Sequence, residues 1–107
     1  MAGFVYLICN PDQNCYKIGV TRNLAQKRLK QLQTGNSSKL HIVHSVYSEY
    51  PFRLESMLHK AFDSKRSEGE WFNLEQNDVI NFKDICNEKI NIINIMKDNP
   101  FFNKDLK

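Results

Sequence analysis

Arg28, Glu55, Tyr6 and Tyr16 are residue types that together could carry chemistry in this chain. A carboxylate can hold one hard divalent cation, which keeps several of its waters and binds a phosphate oxygen. A guanidinium offers a forked donor to a non-bridging phosphate oxygen. A phenol beside them can take a proton from an attacking water. Its free pKa is about 10, so it needs help from the ion or from a cation such as Lys17 or Arg28. The chemistry open to such a set is phosphodiester hydrolysis. One carboxylate is too few for a two-metal site, so the expected cofactor is a single ion, Mg²⁺ or Mn²⁺, on Glu55.

The helices around two of these residues give the reason to single them out. Leu24–Gln33 is a run of strong helix formers, with Thr21 or Asn23 as N-cap and Gly35 as a left-handed C-cap. At 3.6 residues per turn, Leu24, Ala25, Leu29 and Leu32 share an arc of roughly 140°, the expected buried face. Arg28 falls inside that arc, whereas Lys27 and Lys30 fall outside it. In the second helix, Phe52–Phe62 with Pro51 at its first position, the apolar arc is Leu54, Met57, Leu58, Ala61 and Phe62. Glu55 sits at its edge and His59 follows one turn later. An inward guanidinium is costly unless paired or placed in a wet cleft, and half-buried charges gather at functional sites.

The elements that must position these groups follow in order. Val5-Tyr6-Leu7 and Tyr16-Lys17-Ile18-Gly19 read as strands, joined through Asn10–Asn14 by turn-forming residues into a hairpin. Close pairing would let Tyr6 and Tyr16 share a surface. Residues 40–47 read as a third, central strand, residues 63–69 as a polar loop, and residues 70–74 as a short fourth strand. Residues 76–97 read as a third helix, capped by Asn77 or Asp78. The order ββαβαβα predicts an α+β sandwich.

At 107 residues the chain suits one domain, taken as residues 1–97 with the helix 76–97 included, and 98–107 as a loosely held tail. The net charge of +3 permits nucleic-acid binding without demanding it, but Lys17, Arg22, Lys27, Arg28 and Lys30 form a run free of acids. Three cysteines without C-x-x-C spacing predict free thiols. No run nears the roughly 20 apolar residues of a membrane span. The expected location is intracellular, in the cytoplasm, the nucleus or an infected host cell, with no membrane partner.

Val-Tyr-Leu at 5–7 followed by Tyr-Lys-Ile-Gly at 16–19 resembles the paired signature of the GIY-YIG endonuclease superfamily. The likeness continues through Arg28 in Arg-Leu-Lys-Gln-Leu-Gln-Thr-Gly-Asn, Glu55 in Leu-Glu-Ser-Met-Leu-His, and Gly-Glu-Trp-Phe-Asn-Leu at 69–74. It covers about residues 3–75 and is most similar to the compact branch of phages and large DNA viruses. The resemblance implies a sandwich around a small three-stranded antiparallel sheet, and one-metal hydrolysis of DNA. It matches Tyr6 and Tyr16 to the signature tyrosines, Arg28 to the catalytic arginine and Glu55 to the metal-binding glutamate. It also matches Gly19 to the signature glycine and Asn73 to a late organising asparagine. Lys17 stands where many members run Tyr-Ile-Gly directly, and Leu32 where some carry a histidine. His59 could take over part of that histidine's role.

Two other readings compete with an endonuclease. One is a weak or inactive nucleic-acid-binding module whose Lys17, Arg22, Lys27 and Lys30 touch phosphates. The other is a protein-interaction subunit, possible as a homodimer through the helix 76–97 with Ile80, Ile92 and Ile95 beyond its main apolar stripe.

Overall fold

A computed structural model describes residues 2–97; the tail expected at 98–107 lies outside the described residues. The hairpin at the start of the chain pairs β1 (Gly3–Asn10) with β2 (Cys15–Thr21). Asn10 closes its loop by accepting the Gln13 N–H on Oδ1 at 3.3 Å, and Asn14 takes the left-handed conformation that asparagine tolerates (φ 51°). Next come α1 (Ala25–Thr34), β3 (His41–Ser48) and α2 (Pro51–Ala61). After a 3₁₀ turn at Asp63–Lys65, the short strands β4 (Arg66–Glu68) and β5 (Trp71–Phe72) lead into α3 (Gln76–Ile80) and α4 (Phe82–Met96).

The fold class is α+β, with helices on both faces of an antiparallel sheet. The sheet has five strands, not three, in the order β3-β1-β2-β5-β4. Of the two strands beyond those three, β5 lies within the fourth strand read at 70–74, and β4 arises from the expected polar loop, where Gly69 at φ 57° turns the chain back into β5. The central strand of the three long ones is β1; β3 lies at the sheet's edge. β1 can be central because both of its faces are apolar. Val5 and Leu7 join Ile18, Val46, Leu54, Leu58 and Phe72 under α2 and α4, while Tyr6 and Ile8 join Ala25 and Leu40 under α1. Each fully buried side chain of this size contributes about 1.5–3 kcal/mol.

Several helix ends depart from expectation. α1 starts at Ala25 after Leu24, which is 62% exposed and not part of the buried face. Thr21 instead accepts the Asn23 N–H on Oγ1, at 3.2 Å. Gly35 has φ −96° and is not left-handed. Ala61 is exposed. The third helix is two: Asn81 (φ −91°, ψ 2°) ends α3 and begins α4, and Glu75 rather than Asn77 or Asp78 is the N-cap. Asn81 bridges the break, its N–H bonding Asn77 O at 3.0 Å and its carbonyl accepting from Ile85 N–H at 2.9 Å. Among the described residues, no helix is long and apolar enough to cross a membrane. The three cysteines are free, and burial pushes the Cys86 thiol up to about 12.

Candidate active site

The hairpin register decides which side chains meet. Asn10 pairs with Cys15 across a four-residue loop, so residues of opposite parity face each other along the two strands. Tyr6 pairs with Gly19, Ile8 with Lys17, and Cys9 with Tyr16. Opposed residues point to the same side of a sheet, and neighbours along a strand to opposite sides. Tyr6, Lys17 and Gly19 therefore share the face under α1. Tyr16 points to the other face, against the core beneath α2 and α4. The expectation that Tyr6 and Tyr16 share a surface is corrected: the cationic Lys17, not the second phenol, shares the face with Tyr6.

Gly19 gives Tyr6 its place. A Cβ at residue 19 would lie 2.5 Å from Tyr6 Cζ and closer still to its hydroxyl. The phenol thus lies across the bare α-carbon of Gly19, directed to the side of β2 away from β1, and is 1% exposed.

α2 brings Glu55 to that same edge. Its N-terminal end lies by the end of β2, where Pro51 Cγ nears Gly3 and Thr21, and the Arg22 guanidinium stands 5.8 Å from the Phe52 ring centre. Further on, His59 Nε2 donates to the Ile18 carbonyl at 2.9 Å, and its ring tilts against Phe72 at 5.1 Å. The helix therefore runs antiparallel to β2, with Glu55 between those anchors, beside Gly19 and Val20. His59 makes this possible because β5 is two residues long. Ile18 N–H reaches Glu70 O at 3.1 Å, but beyond that point this edge of β2 has no strand partner among the described residues, and the imidazole donates to the Ile18 carbonyl there.

The charges of these groups act on one another. Burial raises the Tyr6 phenol above its ordinary pKa; Arg28 opposes that by hydrogen bonding and charge, while Glu70 and Glu55 push it further up. Glu55 is also raised, first by burial and then by Glu70, against the pull of His59 and Lys17. Tyr6, Arg28, Glu55, His59, Lys17 and Glu70 thus form one electrostatic neighbourhood. Lys17 Nζ lies 3.5 Å from Glu70 Oε1 and 5.6 Å from the Trp71 ring centre. Arg28 is half-buried on α1, as its place in the apolar arc implied, and also donates to Gln31 Oε1 at 3.1 Å.

Glu70 has no role in the sequence reading, although it opens the fourth strand and lies in the 69–74 segment of the likeness. Its signal was faint: an acid just before Trp71, which pairs with Lys17 only once β5 is laid beside β2. Asn73 falls elsewhere. It is exposed, and with Tyr16, Gln13 and Gln76 it lines a separate open cleft of about 750 Å³. Arg22, Lys27 and Lys30 are exposed in and beside α1.

No group of three or more His, Cys, Asp or Glu side chains among the described residues could enclose a metal ion. The donor chemistry fits an ion that needs fewer. Mg²⁺ keeps most of its waters and is commonly bound through one or two carboxylates plus substrate phosphate. Glu55 is a half-buried carboxylate whose charge is disfavoured by burial and by the Glu70 acid more than His59 and Lys17 offset, so a cation there would favour its ionised form. Mn²⁺ suits the same oxygen ligands.

A family model described as the T5orf172 domain matches residues 3–87. No curated protein and no solved structure matches the chain significantly.

Proposed function

The chain belongs to the T5orf172 domain family, a phage-associated domain of an endonuclease-related clan, and from that premise we propose that it is a divalent-metal-dependent endonuclease acting on DNA. The observation that carries this reading is the Tyr6 phenol, laid over Gly19 where the charges of Arg28, Glu55 and Glu70 all act on it. The likeness to the GIY-YIG signature supports the same reading, with Lys17 facing the site in place of a second tyrosine.

Each group has a role its position allows. Arg28 presents its guanidinium to a non-bridging phosphate oxygen, and Lys17 adds a second positive charge on the same face. Glu55 is the residue that would hold the ion. When bound, that ion supplies charge neutralisation at the phosphate and acidifies a water. Tyr6, protonated at neutral pH as any phenol is and pushed further from ionising by burial, orients the attacking water; it could take that water's proton only as the phenolate, which positive charge from a bound ion and Arg28 would favour. His59 anchors α2 to β2 through Nε2, which leaves Nδ1 as its remaining ring nitrogen. Exposed Arg22, Lys27 and Lys30 give DNA contact without base reading, so affinity should fall steeply with salt.

The test is cleavage of linear, nicked and branched DNA with Mg²⁺ or Mn²⁺. Ion-dependent cutting should vanish in Glu55→Ala and fall roughly 10²–10³-fold in Arg28→Ala, the usual cost of losing one transition-state donor. Cutting that ignores the ion, or that survives Glu55→Ala, overturns the proposal. Binding of DNA without cleavage would mark the chain as a binding module.

A further inference from the structure

The sheet face that carries Tyr6 continues past Lys17 into a second hollow. Trp71 pairs with Lys17 and Glu68 with Trp71, and Cys15, opposite Asn10, follows Lys17 roughly 7 Å further along β2. Asn10, Glu68 and Trp71 line a hollow of about 170 Å³, together with Asn36 just past α1. Among the described residues, no lysine or arginine lines it. Asn10 is 2% exposed, and its Oδ1 accepts the Gln13 N–H, which leaves the amide NH₂ as a donor. Asn36 is oriented in the same way, its Oδ1 accepting the Ser38 N–H at 2.9 Å. Glu68 forms no ion pair among the described residues. Ser67 Oγ donates to the Trp71 carbonyl at 3.2 Å and so ties the strand bearing the indole to β4.

We propose that this hollow takes one unpaired nucleobase of the DNA strand, guanine above the other three, next to the phosphate met by Lys17 and Arg28. The inference rests on the DNA-cleaving reading above and names the substrate feature it would select. A carboxylate repels a phosphate, so Glu68 turns the sugar-phosphate backbone away and leaves the hollow to a base. An indole is a stacking platform for any base, and base edges are read by side-chain amides and carboxylates. Glu68 supplies the choice among them. A carboxylate accepts two parallel hydrogen bonds. Guanine's pairing edge presents two adjacent N–H donors beside a carbonyl, and that carbonyl can accept from an asparagine NH₂. Adenine and cytosine present one amino group there, and thymine one N–H. In a duplex this edge is already taken. The base that fits is therefore unpaired, as in a single strand or at a branch.

Trp71 is the chain's single tryptophan, so its fluorescence reports on the hollow it lines. Hexathymidylate, and the same strand with one guanine, adenine or cytosine at its centre, would be titrated into the protein without divalent ion. The guanine strand should quench Trp71 and bind about tenfold more tightly than hexathymidylate, within the range of one bidentate base contact. Glu68→Gln changes an exposed residue on the sheet's edge strand and should bind the two strands alike, with thermal unfolding as the control for folding. Equal affinity for all four strands overturns the proposal. So does a guanine preference that survives Glu68→Gln, or one that leaves Trp71 fluorescence unchanged. Because no ion is present, the outcome is independent of cutting. Ion-dependent cleavage without base preference overturns this inference alone, whereas a guanine preference without ion-dependent cleavage overturns the nuclease reading and leaves the base site standing.

Discussion

The ring of Tyr6 rests on the bare α-carbon of Gly19, and this one contact fixes where the phenol points. Tyr6 is 1% exposed, so its ring has no solvent to swing into, and an added Cβ would fall 2.5 Å from Cζ. Gly19→Ala should therefore cost about 1–3 kcal/mol of stability, the usual range for overpacking a core. It should also abolish cleavage in the fraction that stays folded, because the hydroxyl can no longer reach the Glu55 side of β2. Urea unfolding beside a cleavage assay checks both. A variant that is stable and fully active would mean that the phenol's placement is irrelevant to the reaction.

The two faces of β2 make opposite predictions for adjacent residues. Lys17 shares its face with Tyr6, whereas Tyr16 packs against the core on the other side. Lys17→Met should lower cleavage by roughly 10²-fold if its charge meets the phosphate. Tyr16→Phe keeps the ring's packing and should leave the rate unchanged. Single-turnover rates with saturating Mg²⁺ separate the two, and a reversed ranking would return the second phenol to the chemistry.

This contrast marks where the sequence stops being informative. The hairpin, the start of α2 at Pro51 and the half-buried Arg28 were readable because each depends on local chemistry: turn residues, a preset φ, a 3.6-residue period. The face taken by Tyr16 was not. Shifting a pairing by one residue turns every side chain to the opposite side, and the register here depends on how many residues the loop spends between Asn10 and Cys15. β4 is three exposed polar residues, Arg66–Glu68, with no apolar alternation to reveal it. Glu70 acquires meaning only from a strand pairing distant in sequence. Leu24 was misplaced because α1 begins one residue later than its composition suggests.

His59 is the pin between α2 and β2, and its loss should act through Glu55. Its Nε2–H satisfies the Ile18 carbonyl, so His59→Ala leaves a backbone acceptor unpaired and should cost about 1–3 kcal/mol. Cleavage should fall further than stability explains, because the carboxylate one turn earlier loses its fixed position. Protonation does not break this bond, since the charged imidazole still donates from Nε2. Hydrogen exchange at α2 should rise in the variant. If exchange and cleavage both match the native chain, the anchor is dispensable.

The acid limit of stability should be set in part far from the site, at the start of α3. Burial pushes the Asp78 carboxyl up, but the hydrogen bond from Lys65 Nζ at 2.6 Å, the Glu75 N–H at 2.9 Å and the Lys65 charge together hold it below its ordinary value. A carboxylate with a depressed folded pKa adds stability above its unfolded pKa, near 4, and loses it as pH falls through the lower folded value. Lys65 is shifted the other way, raised first by its hydrogen bond to Asp78. Its contribution is complete below its unfolded pKa and fades only as strongly alkaline pH passes the folded one. Between these limits the pair should leave the stability curve level. Asp78→Asn also removes a charged acceptor from the first turn of α3, at a cost of about 1 kcal/mol near neutral pH. The decisive comparison is urea unfolding from pH 7 to pH 2.5. The native chain should lose more stability across that interval than Asp78→Asn does, and parallel curves would show that the Lys65–Asp78 pair contributes nothing to acid resistance.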